Sequence, residues 1–170
     1  MKNIKFFIAL FCLISFAVSA QEISDNAIGL RLGDSDGFGA EISYQRRILR
    51  TNRLEVDLGW RDSRDYNAFK SVAIYQWVLP IEGGFNWYFG PGAGLGIVDF
   101  SPVPYDDRKD YYYPDGGLFI LAAGDIGIEY NFKIPLLISL DFRPEVGLIG
   151  YNDFSDNFDF DIGLGIRYQF

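Results

Sequence analysis

Charged residues that could take part in chemistry recur at every second position along several segments of this chain. In one run, Ser139, Asp141, Arg143 and Glu145 alternate with large apolar residues. Alternate residues of a β-strand point to opposite faces, so these groups would share one face of a sheet. Carboxylates held close together can act as general acid and base. The residues predicted to share this inward face are Arg31, Glu41, Glu55, Asp57, Arg61, Asp125, Glu129, Asp141, Arg143, Glu145, Asp159, Asp161 and Arg167.

The residue types argue against catalysis. The chain has no histidine, and its single cysteine, Cys12, lies in an apolar N-terminal run. The usual Ser–His and Cys–His pairs are therefore impossible. Carboxylates are spread over the whole inward face, so the closeness of two of them does not distinguish a catalytic pair. The sequence predicts a protein that is not an enzyme, with no catalytic residue, no cofactor and no metal site.

The inward charges have two interpretations. In the structural one, the arginines each contact several carboxylates, and the ion-pair network fills the interior. In the functional one, the carboxylates line a cation-preferring path or a pocket for a small ligand. If eight such strands close into a barrel, its interior is only wide enough to be filled by side chains or to hold one small ligand. We therefore expect a filled interior.

The alternation of apolar and polar residues predicts eight strands, and thus an all-β fold: an eight-stranded antiparallel up-and-down transmembrane β-barrel. Only the fourth strand is ambiguous, because both of its faces are largely apolar. Lys70 and Gln76 share one of these faces, so we assign that face to the interior. Pro91 and Pro144 lack a ladder donor, so a bulge or kink is expected at each. The predicted strands are 27–33, 38–48, 53–61, 69–79, 85–99, 118–132, 136–148 and 157–170.

The last strand carries a further signal. From Phe158 to Phe170 every second residue is large and apolar, and the residues between are charged, polar or glycine. The terminal Phe170, with Tyr168 two residues before it, resembles the C-terminal signal read by the outer-membrane assembly machinery of Gram-negative bacteria. That resemblance implies the assembly machinery and outer-membrane lipid as partners.

The N-terminal segment predicts export. Residues 1–20 combine Lys2 and Lys5 with an apolar run and end in Ala-Val-Ser-Ala, which is typical of a secretory signal peptide. Removal of residues 1–20 would leave a barrel domain, 21–170, with a formal charge of −10, compared with −8 for the whole chain. This negative charge disfavours nucleic acid and an anionic membrane surface as partners by repulsion. The predicted location is the bacterial outer membrane.

The predicted connections alternate between short turns and longer loops, and the longer ones are acidic. Short turns at 49–52, 81–84 and 133–135 would face the periplasm, and longer segments at 34–37, 62–67, 100–116 and 151–157 would face outward. The longest loop is rich in tyrosine, which suits either a contact surface for an unknown ligand or an interfacial aromatic girdle. Its candidate contact residues are Tyr105, Asp106, Asp107, Tyr111, Tyr112 and Tyr113.

Residues 75–77 (YQW) and 83–96 (GGFNWYFGPGAGLG) resemble a segment of the small outer-membrane β-barrel proteins common in Bacteroidota. The whole domain resembles the OmpA/OmpX-type eight-stranded barrels in layout. This resemblance implies fold and location, but it carries over no functional residues, because these families have diverse roles. The predicted function is a structural or surface-interacting outer-membrane protein. A narrow cation-preferring channel or small-solute carrier and a soluble lipocalin-like binding barrel are the alternatives.

Overall fold

The computed structural model describes residues 23–33, 39–64, 66–101, 103–105, 110–112, 116–150 and 157–170. Ten strands lie within these ranges. They are β1 (Asn26–Leu32), β2 (Ala40–Leu49), β3 (Asn52–Asp62), β4 (Tyr66–Pro80), β5 (Phe85–Phe100), β6 (Val103–Tyr105), β7 (Asp110–Tyr112), β8 (Gly117–Asn131), β9 (Leu136–Ile149) and β10 (Phe158–Gln169). Among the described residues, no helix is long and apolar enough to cross a membrane.

Eight of these strands form a closed antiparallel barrel in the order β1-β10-β9-β8-β5-β4-β3-β2. Every neighbour in this order is also a neighbour along the chain of barrel strands, except at the seam between β1 and β10. The seam is a full antiparallel pairing, from Ala27 opposite Gln169 to Leu32 opposite Leu164. The predicted eight-stranded up-and-down barrel is confirmed, and the predicted strand ends differ from the observed ones by three residues or fewer.

The long connection between β5 and β8 is not a plain loop as the sequence suggested. It contains β6 and β7, which pair antiparallel as a separate two-stranded ribbon, with Val103 opposite Tyr112 and Tyr105 opposite Asp110. Each strand has only three residues. Alternation over three residues is too short to be recognised as a strand from sequence, since a useful pattern needs four or more.

The two prolines interrupt strand pairing without shifting its register. Pairing of β4 with β5 lapses between Ile74–Gly92 and Trp77–Phe89 and resumes in the same register beyond Pro91. The β8–β9 pairing behaves in the same way around Pro144. Neither proline therefore forms the bulge that was one of the two predicted outcomes, because losing one donor costs ladder bonds but adds no residue. The other outcome, a local kink, stays a prediction. Register shifts occur instead at 47/49 of β2 and 120/121 of β8.

The barrel is inverted relative to a soluble one. Its interior is lined mainly by buried polar and charged side chains, whereas large apolar side chains such as Leu140 and Ile162 are exposed around the outside. In β4 the inward parity includes Lys70 and Gln76, as expected from the sequence. The same face also carries Val72 and Ile74, which pack inside the barrel with Phe119 and Leu121 of β8.

Candidate functional site in the barrel interior

Arg31 joins four strands at one point of the interior. Its side chain is about 1% exposed and lies on β1. Its Nη1 atom is 2.6 Å from Asp161 Oδ2 on β10 and 3.2 Å from Glu41 Oε2 on β2. Its Nε donates to Asp141 Oδ1 on β9 at 2.9 Å. Such charge-assisted hydrogen bonds are stronger than neutral ones, so this arginine holds the seam side of the barrel together.

Arg143 crosses the barrel. It projects from β9, and its partners lie on β2 and β3 at the opposite side of the strand order. Its Nη2 is 2.7 Å from Asp57 Oδ2 and 3.0 Å from Glu55 Oε1, and its Nη1 is 3.4 Å from Glu41 Oε2. A planar guanidinium with five donors can satisfy several carboxylates at once. Arg143 therefore occupies the cross-section where an open barrel would contain water.

Arg167 occupies the interior on the same side as the short turns. Its Nε donates to Ser43 Oγ at 2.8 Å, and its Nη1 donates to Ser139 Oγ at 2.8 Å. Its Nη2 forms an ion pair with Glu55 Oε2 at 3.2 Å. Glu55 is thus shared between Arg143 and Arg167, which links their contacts into one network.

Two buried cations of this network were missing from the sequence-based set. Lys70 of β4 lies 3.0 Å from Glu145 Oε2, and Arg53 of β3 lies 2.7 Å from Glu129 Oε2. The Arg53 guanidinium also stacks 4.8 Å from the ring centroid of Tyr88. Both residues have the inward parity of their strands, so the alternation that identified Glu55 was a sufficient signal for Arg53. This signal was obscured because Lys70 lies near the apolar part of β4 and Arg53 lies at the end of β3.

Two residues predicted to belong to the network lie at its edge instead. Arg61 is half-buried near the end of β3, and its guanidinium stands 4.6 Å from the ring centroid of Tyr66. Asp159 is half-buried at the start of β10 and accepts a hydrogen bond from the backbone N–H of Phe160 at 2.8 Å. Their strands end here, so these side chains lie at the mouth of the barrel rather than in its closed middle.

Carboxylates outnumber cations among the buried interior residues that the structure describes. The cations are Arg31, Arg53, Lys70, Arg143 and Arg167, and the carboxylates are Glu41, Glu55, Asp57, Asp125, Glu129, Asp141, Glu145 and Asp161. Within the described ranges no cluster of three or more potential ligands has the geometry of a metal site. Some interior carboxylates accept hydrogen bonds from side-chain amides as well as from cations. Gln76, for example, donates a hydrogen bond to Asp125.

One part of the interior is filled by apolar packing rather than by charge. Glycines of β5 face Val72, Ile74, Phe119 and Leu121, which have almost no exposed surface. A Cβ atom added at Gly96 would collide with the Phe119 ring, and one added at Gly94 would lie about 3.0 Å from Leu121 Cδ1. The glycines make room for large side chains in a narrow interior.

Aromatic side chains on the outer surface form two belts. One lies toward the short turns, where Trp77, Phe89 and Trp87 stack with centroid separations of 5.4 and 5.3 Å. The other, toward the longer connections, includes Trp60 opposite Phe69. Phe69 and Trp77 are eight residues apart on β4, roughly 26 Å along the strand and about 20 Å along a barrel axis at the usual tilt. The band between the belts is mainly aliphatic, with residues such as Leu140 and Ile162 beside the aromatic Phe142.

The remaining sequence candidates lie outside the interior. Tyr168 and Phe170 are exposed on the outer face, with their rings stacked at 6.2 Å. Phe170 also exchanges two backbone hydrogen bonds with Asn26, at 2.9 and 3.0 Å. Tyr105, Tyr111 and Tyr112 belong to the β6–β7 ribbon, where only the backbone is described; Asp106, Asp107 and Tyr113, like the predicted signal peptide, lie outside the described residues.

Fold and surface together define a class: closed eight-stranded antiparallel barrels with a polar interior, an apolar band and aromatic belts, the arrangement of barrels that span membranes. The chain is similar in structure to the N-terminal β-barrel domain of Pseudomonas aeruginosa OprF, with a TM-score of 0.62 and 14% identity over 88% of this chain and 100% of that one. It is also similar to Neisserial surface protein A, with a TM-score of 0.53 and 14% identity over 85% and 94%. No protein-family profile and no curated protein sequence matches the chain. At this identity the likeness shows a shared fold.

Proposed function

We propose that this chain is a non-enzymatic integral protein of the bacterial outer membrane, with a sealed interior and with its outward connections as the working part. One observation carries this proposal: charged side chains are buried inside the barrel while aliphatic side chains are exposed around it. In water this arrangement would expose a large apolar surface at great cost. In a bilayer the same surface is matched to the lipid.

Several further features support an outer-membrane location. The aromatic belts enclose an apolar band close to the usual height of about 25 Å. The terminal aromatic pair and the predicted signal peptide of residues 1–20 fit export and assembly by the outer-membrane machinery. A soluble lipocalin-like barrel is disfavoured, because it would need the opposite distribution of polar and apolar side chains.

The filled interior supports a structural or surface-interacting role, because it leaves little room for a water path or a ligand. Arg143 and its partners fill the cross-section. The outward connections vary most in length, and the longest carries the β6–β7 ribbon. Loops held by a rigid scaffold are where recognition usually resides.

One observation favours a second candidate, a narrow cation-preferring channel. The described interior contains more carboxylates than cations, and rings of acidic side chains select cations in pores. A sealed barrel and a channel differ in the conductance that each would give across a bilayer. We expect the purified chain in a planar bilayer to give negligible current at any salt concentration. Steady, cation-selective single-channel steps from the unaltered protein would establish the channel instead.

Membrane insertion and loop function are tested separately. A folded barrel should float with lipid vesicles and migrate faster on a gel before heating than after it. Replacing residues 101–116 by a short Gly–Ser turn should preserve both properties while reducing adhesion of cells that display the protein. The matched control replaces residues 151–157 in the same way. Unchanged adhesion in both variants would contradict a surface-interaction role.

A further inference from the structure

The two ends of the barrel differ in charge. We call the end formed by residues 23–26, 46–52, 80–85 and 131–136 the short-turn rim. It carries Arg46, Arg47, Arg50 and Lys133, against Asp25 and Glu82. The opposite end is acidic in sequence. Its connections carry Asp34, Asp36, Asp62, Asp65, Asp106, Asp107, Asp110, Asp115, Asp153 and Asp156 with few basic residues.

Within the short-turn rim, two arginines remain available to an outside partner. Arg47 is half-buried, paired with Asp25, and donates to the carbonyl of Ile23 at 3.1 Å. Arg46 and Arg50 are exposed, and neither has an ion-pair partner among the described residues. Gln45 is buried, so Arg46 has the parity of the outer, apolar surface. A cation on this surface faces lipid headgroups rather than the interior.

Two exposed apolar residues lie between Arg46 and Arg50 in the chain. Ile48 is 50% exposed and Leu49 is 59% exposed, although both lie at the tight connection between β2 and β3. Nearby, the Tyr44 hydroxyl donates to Asn26 Oδ1 at 2.7 Å, which fixes the neighbouring strand end. On the other side of Arg46, toward the middle of the barrel, Ile42 has the same outward parity and is 41% exposed. This order matches a membrane interface, where a charged headgroup lies above acyl chains.

We propose that Arg46 and Arg50 bind the phosphate of an anionic phospholipid in the leaflet at the short-turn rim, with its acyl chains lying along the outer face of β2 against Ile42. The site rests on the proposed membrane function. Guanidinium groups bind phosphate through paired hydrogen bonds, and juxtamembrane cations are attracted to anionic lipids. The acidic opposite rim repels the same lipids. The anionic lipid is thus recognised at one end of the barrel only.

Native mass spectrometry of the refolded barrel in detergent tests this site by titration with phosphatidylglycerol or phosphatidylcholine. We expect tighter binding of the first phosphatidylglycerol, and roughly a fivefold loss of that affinity for each of Arg46→Gln and Arg50→Gln. Arg64→Gln, the same change at an exposed arginine of the opposite rim, is the matched control and should leave the preference unchanged. Glycerol phosphate at equal concentration should not displace the lipid.

Four results would overturn the inference. They are an equal affinity for both lipids, an unchanged preference in the Arg46→Gln/Arg50→Gln variant, an equal loss in Arg64→Gln, and displacement by glycerol phosphate, which would indicate a free-phosphate site. Flotation with vesicles and heat-dependent migration are measured on the same samples. A variant that floats but has no lipid preference contradicts this site alone. A wild-type chain that does not float contradicts the proposed membrane function itself.

Discussion

At the scale of the residue, the interior depends on a few arginines that satisfy many acceptors. Burying a guanidinium removes its hydration, and this cost is recovered only where several carboxylates surround it. Arg31 and Arg143 meet this condition with three carboxylates each. Glu41 contacts both arginines, so the two groups are coupled. Removing one arginine should therefore disturb more than its own pairs.

Arg143→Ala should destabilise the folded barrel and open its interior. Breaking a buried charge pair usually costs about 3–5 kcal/mol, because the remaining carboxylates are left without a partner. We expect a lower urea midpoint for unfolding in lipid and intermittent openings in planar bilayers. Arg143→Lys retains the charge without the planar fork, and it should lie between wild type and alanine in both measurements. An alanine variant with wild-type stability and no openings would show that Arg143 does not seal the interior.

Leu140→Arg tests which face meets lipid. Leu140 is 51% exposed on the outside of β9, and its cross-strand neighbours are Leu164 and Ile128. An arginine facing lipid costs roughly 2–4 kcal/mol at the bilayer midplane and less near the interfaces. Equilibrium refolding in vesicles should show this loss, whereas Leu140→Val should stay close to wild type. A neutral effect of the arginine would mean that this surface is not in contact with lipid.

At the scale of the element, β5 is shaped by the side chains that it must accommodate. Gly96→Ala would place a Cβ atom against the buried Phe119 ring and the Phe69 carbonyl, so we expect a loss of about 1–3 kcal/mol from overpacking. Gly117→Ala, whose added Cβ would meet nothing within 4 Å, is the matched control. Unfolding titrations in the same detergent compare the two. Equal stability would contradict the tight packing of β5 against β8.

The last strand, β10, should matter more for assembly in cells than for stability. The Phe170 ring is 60% exposed, so Phe170→Ser removes little packing while its backbone bonds to Asn26 remain. We expect less folded protein in the outer membrane of cells, and nearly normal refolding of the purified chain in detergent. Phe158→Ser changes an equally exposed aromatic at the other end of the strand. If both variants reach wild-type levels in cells, the terminal signal is not used.

The sequence predicts the elements well wherever the two faces of a strand differ in polarity. In β9 the alternation is regular and both strand ends were correctly predicted to within one residue. In β4 both faces are apolar, because the inward side chains Val72 and Ile74 pack against β8 rather than against charges. The partners of Arg143 could not be predicted from sequence, since they depend on which strands lie opposite across a closed barrel.

At the scale of the whole molecule, the arrangement of charge distinguishes the two ends of the barrel. The interior holds its charges in pairs, one rim is basic and the other acidic. The short turns, the start of β1 and the end of β10 all lie at the basic rim. We therefore expect that rim to face the periplasm. The proposed lipid site and the outward loops therefore lie on opposite sides of the membrane.

The seam has a consequence for the order of the chain itself. Asn26 and Phe170 exchange backbone hydrogen bonds, so the barrel geometry does not require β1 to come first. A circular permutant that joins residue 170 to residue 25 by a few glycines, and is opened between residues 133 and 134, should refold in detergent to the same heat-sensitive form. In cells it should fail to assemble, because Phe170 is no longer terminal. The permutant would then form the same closed barrel in detergent but lack the terminal signal that the predicted assembly machinery recognises.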